Sequence, residues 1–267
     1  MVKLKSFFKR FYLALVMIFL YAPILVLIVL SFNASKSRAK WGGFTLKWYE
    51  SMFANEDIMS ALYNTLIIAF LSAVIATVLG TAASVGMNKM KKTPRLVLMG
   101  ITNIPMLNAD IVTGISFMLL FIALKMTLGF KSVLIAHITF NIPYVILSVM
   151  PKLKQTNKNT YEAALDLGAT PFMAFKKVVL PDIMPGIVSG FLLAFTMSLD
   201  DFVITHFTRG AEVNTLSTKI YSEVRKGIKP EMYALSTLVF AAVLILMVVI
   251  NRKNSAKDKE KAKTEHT

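Results

Sequence analysis

Long apolar runs, broken by short polar segments dense in Lys and Arg, dominate the 267-residue chain. A bilayer core about 30 Å thick takes about 20 apolar helical residues to cross. Six segments reach that length: residues 11–32, 62–86, 96–124, 132–150, 185–207 and 232–250. The alternating pattern of a membrane β-barrel is absent, so the chain reads as an all-α, polytopic membrane protein with six transmembrane helices. Residues 1–250 would form the membrane domain and 251–267 a Lys-rich tail, with no internal repeat and no soluble domain. The first run follows Lys3, Lys5, Lys9 and Arg10 as a secretory signal would. It is about 20 residues long and lacks an Ala-x-Ala-like end, so it is expected to remain as a helix.

Charge sets the orientation. The N-terminus, the segment 87–95, the segment 151–185 and the tail together hold 19 of the 30 Lys and Arg, and the alternate loops hold 11. The richer side is expected to be cytoplasmic, which puts both termini inside. The formal net charge of +15 belongs to these loops rather than to a nucleic-acid surface, because a nucleic-acid-binding protein has no use for such long uncharged runs. With no cysteine, disulfides, thiolate metal sites and cysteine nucleophiles are excluded. None of the twelve glycines is followed by Lys, so the chain has no phosphate-binding P-loop and is expected to hydrolyse no ATP.

The cytoplasmic loop 151–184 is long for a connector. Asn159 reads as a helix N-cap with Glu162 closing a capping box, Gly168 as a left-handed C-terminal residue, and Thr170-Pro171 as the start of a second helix. Pro181 is expected to stop that helix at Leu180. The small residues Ala163, Ala164 and Gly168 permit close approach of another protein, and Leu165, Leu167 and Phe172 offer apolar anchors. The same composition also suits a connector packed on its own bundle.

The order Glu162-Ala163-Ala164, three residues, Gly168, nine residues, Val178, one residue, Leu180-Pro181 resembles the EAA signature of ABC-importer permeases, with Val178 in a position usually held by Ile. Further stretches resemble the permeases of spermidine/putrescine importers within that family. They are Trp41-Gly42-Gly43-Phe44-Thr45, Lys47-Trp48-Tyr49, Asn64-Thr65, Asp110-Ile111-Val112, His137-Ile138-Thr139-Phe140 and Ser198-Leu199-Asp200-Asp201. The resemblance implies a type I ABC-importer (MetI-like) fold in a bacterial cell membrane, with Glu162, Ala163, Ala164, Gly168, Leu180 and Pro181 forming the turn that couples to an ATPase. It also implies a second permease subunit, two ATPase subunits that use ATP and Mg, and an extracytoplasmic polyamine-binding protein. It implies no catalytic residue and no cofactor on this chain.

Asp110, Asp200 and Asp201 are the acids inside the expected spans, and carboxylates at such depth are functional by default. Counted as straight helices from the inner face, Asp110 and Asp200 both rise about 21 Å. Two carboxylates at one level can hold a multiply charged cation, and a polyamine pairs such charges with a methylene chain that needs apolar or aromatic walls. Tyr21, Tyr144 and Phe140 are candidate walls or, alternatively, lipid-facing or packing side chains. Asp200 and Asp201 point about 100° apart on a helix, so one of them is equally open to a bond with a neighbouring helix. Pro105 implies a break in the third span near Asp110. His137 and Asn141, four apart, suit interhelical hydrogen bonding more than metal binding, since no second His or Cys stands at ligand spacing. Gly186, Gly190 and Ala194 form a stripe for close helix packing. Trp41, Trp48 and Tyr49 suit an interfacial belt.

Acidic intramembrane residues disfavour anions such as sulfate, although another solute of an ABC importer remains open. An ion-coupled secondary transporter would also tolerate buried carboxylates, but it has no need of the EAA loop.

Overall fold

The computed structural model describes residues 2–211 and 213–244, which form two units: one built from the N-terminal 59 residues with residues 220 onward, the other from residues 60–219. The regular elements among the described residues are helices, with a single isolated β-bridge between Asn33 and Phe44 in the loop between the first two. The tail and residues 245–250 lie outside the described residues.

The first unit contains α1 (Val2–Ser31), α2 (Lys47–Ala54) and α12 (Pro230–Leu244). An apolar stretch of 18 residues within 10–31 of α1 is left uncovered by the chain, as a lipid- or partner-facing span requires. Glu231, at the start of α12, accepts hydrogen bonds from Ser51 Oγ (2.6 Å) and Asn55 Nδ2 (3.4 Å), tying α12 to α2.

The second unit is organised on α6 (Phe130–Gln155), with α3 (Glu56–Lys89) and α9 (Leu180–Asp200) pressed against it. Glycines set the spacing. A Cβ on Gly80 of α3 would lie 2.8 Å from Val145, and one on Gly190 of α9 would lie 3.2 Å from the Cα of the same residue. Gly186 has the same tightness against the Ser148 carbonyl, at 2.9 Å, and Ala194 is fully buried in the cluster, so the expected small-residue stripe is the α6–α9 seam. The hydroxyls of Thr77 and Ser84 on α3 turn back to carbonyls one turn earlier, so an apolar helix carries them, while Thr65 Oγ1 donates to the Ala61 carbonyl and accepts from Leu216 N–H at 2.7 Å.

Two spans differ from their hydropathy reading. The third is α4 (Lys92–Leu107) and α5 (Asp110–Ala123), bent by 104° at the extended pair Asn108-Ala109. Pro105 removes a helical hydrogen bond just before that break, as expected, but the bend invalidates the straight-helix depth of Asp110. The helix that carries the fifth span begins before Pro185 and ends before Phe207. It starts with α8 (Pro171–Ala174), passes through a π turn at Phe175–Val179 and continues as α9 to Asp200. Pro181 therefore does not end a helix at Leu180. Leu180 N–H donates to the Phe175 carbonyl five residues back, and this wider turn accommodates the proline's missing donor and its ring. A short α10 (Val203–Thr208) follows the break at Asp201.

Four helices are long and apolar enough to cross a membrane, five if the bent pair counts as one span, and α12 is a shorter apolar helix among the described residues.

Candidate functional site: an exposed glycine turn and an acidic helix break

Between α6 and α8 lies α7 (Lys158–Asp166). Its N-cap is Asn157, whose side chain accepts from Asn159 N–H at 3.0 Å, two residues before the cap expected from sequence, and no capping box to Glu162 forms. At the other end Gly168 takes φ +86°, with Gly168 N–H bonded to the Leu165 carbonyl (2.9 Å) and Ala169 N–H to the Ala164 carbonyl (3.1 Å). That double bond pattern closes a helix with a left-handed residue, where a β-carbon is costly. Thr170 then caps α8 through Met173 N–H, with Pro171 in the first turn, as read from sequence. Leu167 and Phe172 stand 88% and 75% exposed on either side of the turn. Glu162 and Ala163 are also exposed, while Leu180 is half-buried behind them and Pro181 exposed. A cavity of about 1170 Å³ lies behind the turn, lined among others by Thr77, Thr81, Lys89, Arg95, Glu162 and Leu180.

The intramembrane acids occupy helix ends. Asp110 is the first residue of α5, exposed and within electrostatic reach of the half-buried Tyr144 on α6. Asp200 is the last residue of α9, also exposed. The positive pole of α5 favours the Asp110 carboxylate, whereas the negative pole of α9 adds to the charge of Asp200. A cation near Asp200 would meet a carboxylate and a helix C-terminus together. Tyr21 is exposed on α1, in the other unit.

Asp201 points elsewhere. Its carboxylate accepts from Thr205 Oγ1 (2.7 Å), Thr205 N–H (2.8 Å) and Ile204 N–H (3.3 Å), and lies 3.4 Å from His137 Nε2. His137, fully buried on α6, bonds Ser198 Oγ of α9 through Nδ1 (2.5 Å) and Thr205 Oγ1 of α10 through Nε2 (2.9 Å). Ser72 Oγ of α3 reaches Ser198 Oγ at 3.0 Å. His137 thus makes the interhelical bonds expected of it. Asn141 does not: it is fully buried, and neither its Nδ2 nor its Oδ1 meets a partner among the described residues. Phe140 packs edge-on to His137 in a core cluster with Phe121, Ala136 and Ile204, which removes it as a pathway wall. Ser72, Ser198 and Thr205 were not singled out in the sequence, because a hydroxyl in an apolar helix usually bonds its own backbone.

In the first unit, Asn33 organises the segment between α1 and α2. Its side chain donates to the Lys40 carbonyl (2.9 Å) and accepts from Gly42 N–H (2.8 Å), and its carbonyl accepts from the Trp48 indole (2.7 Å). Trp48 is buried, and Tyr49 bonds Ser31 Oγ at 2.8 Å, so these two scaffold the loop instead of forming an interfacial belt. Phe44 stacks on Phe32, and Trp41 is 54% exposed.

This arrangement has counterparts. A sequence pattern described as binding-protein-dependent transport system inner membrane component matches residues 76–252. The chain belongs to that family. It is a multi-pass inner membrane component with the likeness extending beyond the matched region. The spermidine/putrescine transport system permease protein PotC of Escherichia coli strain K12 is 39% identical over 246 residues, 92% of each chain. The putrescine transport system permease protein PotI of the same organism is 40% identical over 237 residues, covering 85% of this chain and 84% of PotI. Among solved structures, a chain of a bacterial ABC transporter involved in the import of the acidic polysaccharide alginate superposes with a TM-score of 0.67 at 19% identity, covering 96% of this chain and 99% of that one. The fold is that of an importer's membrane component.

Proposed function

We propose that the chain is a membrane subunit of an ATP-driven polyamine importer that takes up spermidine or putrescine, spans the bacterial cell membrane six times and keeps both termini in the cytoplasm. A PotB-like second permease completes the pathway, two PotA-like ATPases grip the turn 162–168, and a PotD-like binding protein delivers the substrate from outside. This chain is a non-catalytic permease. It carries no cofactor, and ATP and Mg act on the partner ATPase.

One observation carries the polyamine reading: Asp200 stands exposed at the negative end of α9 in a chain whose relatives, PotC and PotI, are spermidine/putrescine and putrescine permeases. A protonated amine there replaces its lost water with a carboxylate and helix-terminal carbonyls. Asp110 takes a second amine, and Tyr144 beside it offers an aromatic wall to the methylene chain. Tyr21 is a further wall contributed by α1. The coupling role is supported by Leu167, exposed at the turn between α7 and α8 and outside the apolar spans, with Phe172 exposed beside it in the first turn of α8.

The test is uptake of labelled spermidine in cells whose own polyamine importers are deleted, with this chain supplied together with its partner subunits. Uptake that requires ATP and is competed by putrescine but not by sulfate or amino acids is the expected result. Absence of polyamine uptake by a complex that retains its ATPase would overturn the substrate.

A further inference from the structure

The neighbouring carboxylates of Asp200 and Asp201 differ in every contact the structure gives them, and the hydrogen-bond chain around Asp201 has a definite direction. A carboxylate only accepts, so Thr205 Oγ1 spends its single proton on Asp201 and must accept from His137. In the neutral imidazole His137 then carries its proton on Nε2, leaving Nδ1 to accept from Ser198 Oγ at 2.5 Å. Ser198 in turn accepts from Ser72 at 3.0 Å, the nearer of the two acceptors of that hydroxyl, the other being the Ala69 carbonyl at 3.2 Å. The series Ser72, Ser198, His137, Thr205, Asp201 joins α3, α9, α6 and α10 with every donor matched to an acceptor. The main chain at the break is held as well, since the Asp201 carbonyl accepts from Ser217 Oγ at 2.6 Å. The short α10, so fixed, is the bed for α5: a Cβ on Gly114 would lie 3.0 Å from Phe207 and 3.3 Å from the Val203 carbonyl. Gly114 follows Asp110 by one helical turn, on the same face.

We infer that Asp201 and His137 are positioning residues, a latch that fixes the α9–α10 break and through Gly114 the start of α5, so that Asp200 and Asp110 are presented to the transported cation while Asp201 never contacts it. The inference rests on the polyamine reading for the identity of the cation. The latch itself does not depend on that identity.

The experiment uses the whole importer, reconstituted in proteoliposomes with its ATPases and binding protein, and reads KM and maximal rate for spermidine uptake alongside the melting temperature of the complex. Asp200→Asn should raise KM at least tenfold with the melting temperature unchanged. Asp201→Asn and His137→Ala should each cut the maximal rate at least tenfold and lower the melting temperature, with KM within about threefold of the parent. The double variant should be no worse than either single one. His137→Gln, which returns a donor near the Nε2 position, should recover most of the rate. If Asp201→Asn does not assemble, Thr205→Val, which removes one link, should reproduce the loss of rate at constant KM. An Asp201→Asn or Thr205→Val complex that melts normally and shows the raised KM of Asp200→Asn would overturn the latch, as would additive losses in the double variant. If the parent complex imports no polyamine, the substrate reading fails by itself, and the melting temperatures of the single and double variants still decide whether Asp201 and His137 act as one unit.

Discussion

Asp110 and Asp200 sit at opposite poles of their helices, and this separates their chemistry. The N-terminus of α5 stabilises the Asp110 carboxylate whether or not a cation is bound, while the C-terminus of α9 leaves Asp200 with a surplus of negative potential that a cation relieves. Asp110→Asn is expected to raise the KM for polyamine about tenfold at normal membrane abundance, measured by uptake of labelled spermidine; unaltered KM would remove Asp110 from the pathway. Gly168 is a second residue with one requirement, its φ of +86°. A β-branched side chain there is an outlier. Gly168→Val should therefore distort the turn between α7 and α8 and uncouple ATP hydrolysis from transport, read as a rise in ATP consumed per spermidine imported.

Among the elements, α9 shows where the pattern of the chain was readable and where it was not. The stripe Gly186, Gly190, Ala194 announced its seam, and the contact with Ser148 and Val145 of α6 is as close as those residues allow. Gly186→Val, with its Cβ forced to 2.9 Å from a backbone carbonyl, is expected to cost about 1–3 kcal/mol and to lower the melting temperature of the purified complex. The π turn before Pro181 was not readable, because the expectation that proline halts a helix assumes i→i−4 spacing throughout. Pro181→Ala restores the missing donor and removes the reason for the wider turn. It should shift the coupling turn by about one residue of helical register relative to α9, preserving abundance while lowering uptake per ATP hydrolysed. The bend at Asn108-Ala109 was foreshadowed by Pro105, although its 104° was not. The cap of α7 was misplaced because Asn157 and Asn159 are chemically equal candidates, and side-chain geometry chooses between them.

Over the whole molecule, the distribution of Lys and Arg yields an orientation that a simple labelling experiment checks, since the chain has no cysteine to interfere. In intact cells, Lys36→Cys should react with a membrane-impermeant maleimide, and Leu167→Cys should react only after permeabilisation. Labelling of Leu167→Cys from outside would reverse the topology and detach the turn from any cytoplasmic ATPase. Hydropathy made the membrane class legible, and Gly168 and Thr170-Pro171 made the turn between α7 and α8 legible. The polar series centred on His137 was not, because it joins hydroxyls on helices far apart in sequence, and nothing local to Ser72, Ser198 or Thr205 distinguishes them from residues that bond their own backbone.

Val145 is approached by both Gly80 and Gly190: a β-carbon on Gly80 would lie 2.8 Å from its side chain, and one on Gly190 would lie 3.2 Å from its Cα. Interlocked in this way, α3, α6 and α9 behave as a single stiff wedge, with no room for one shaft to slide along another. On the proposed coupling role, a displacement entering through Gly168 is expected to move the wedge as one body, with the 104° elbow at Asn108-Ala109 as the place that gives.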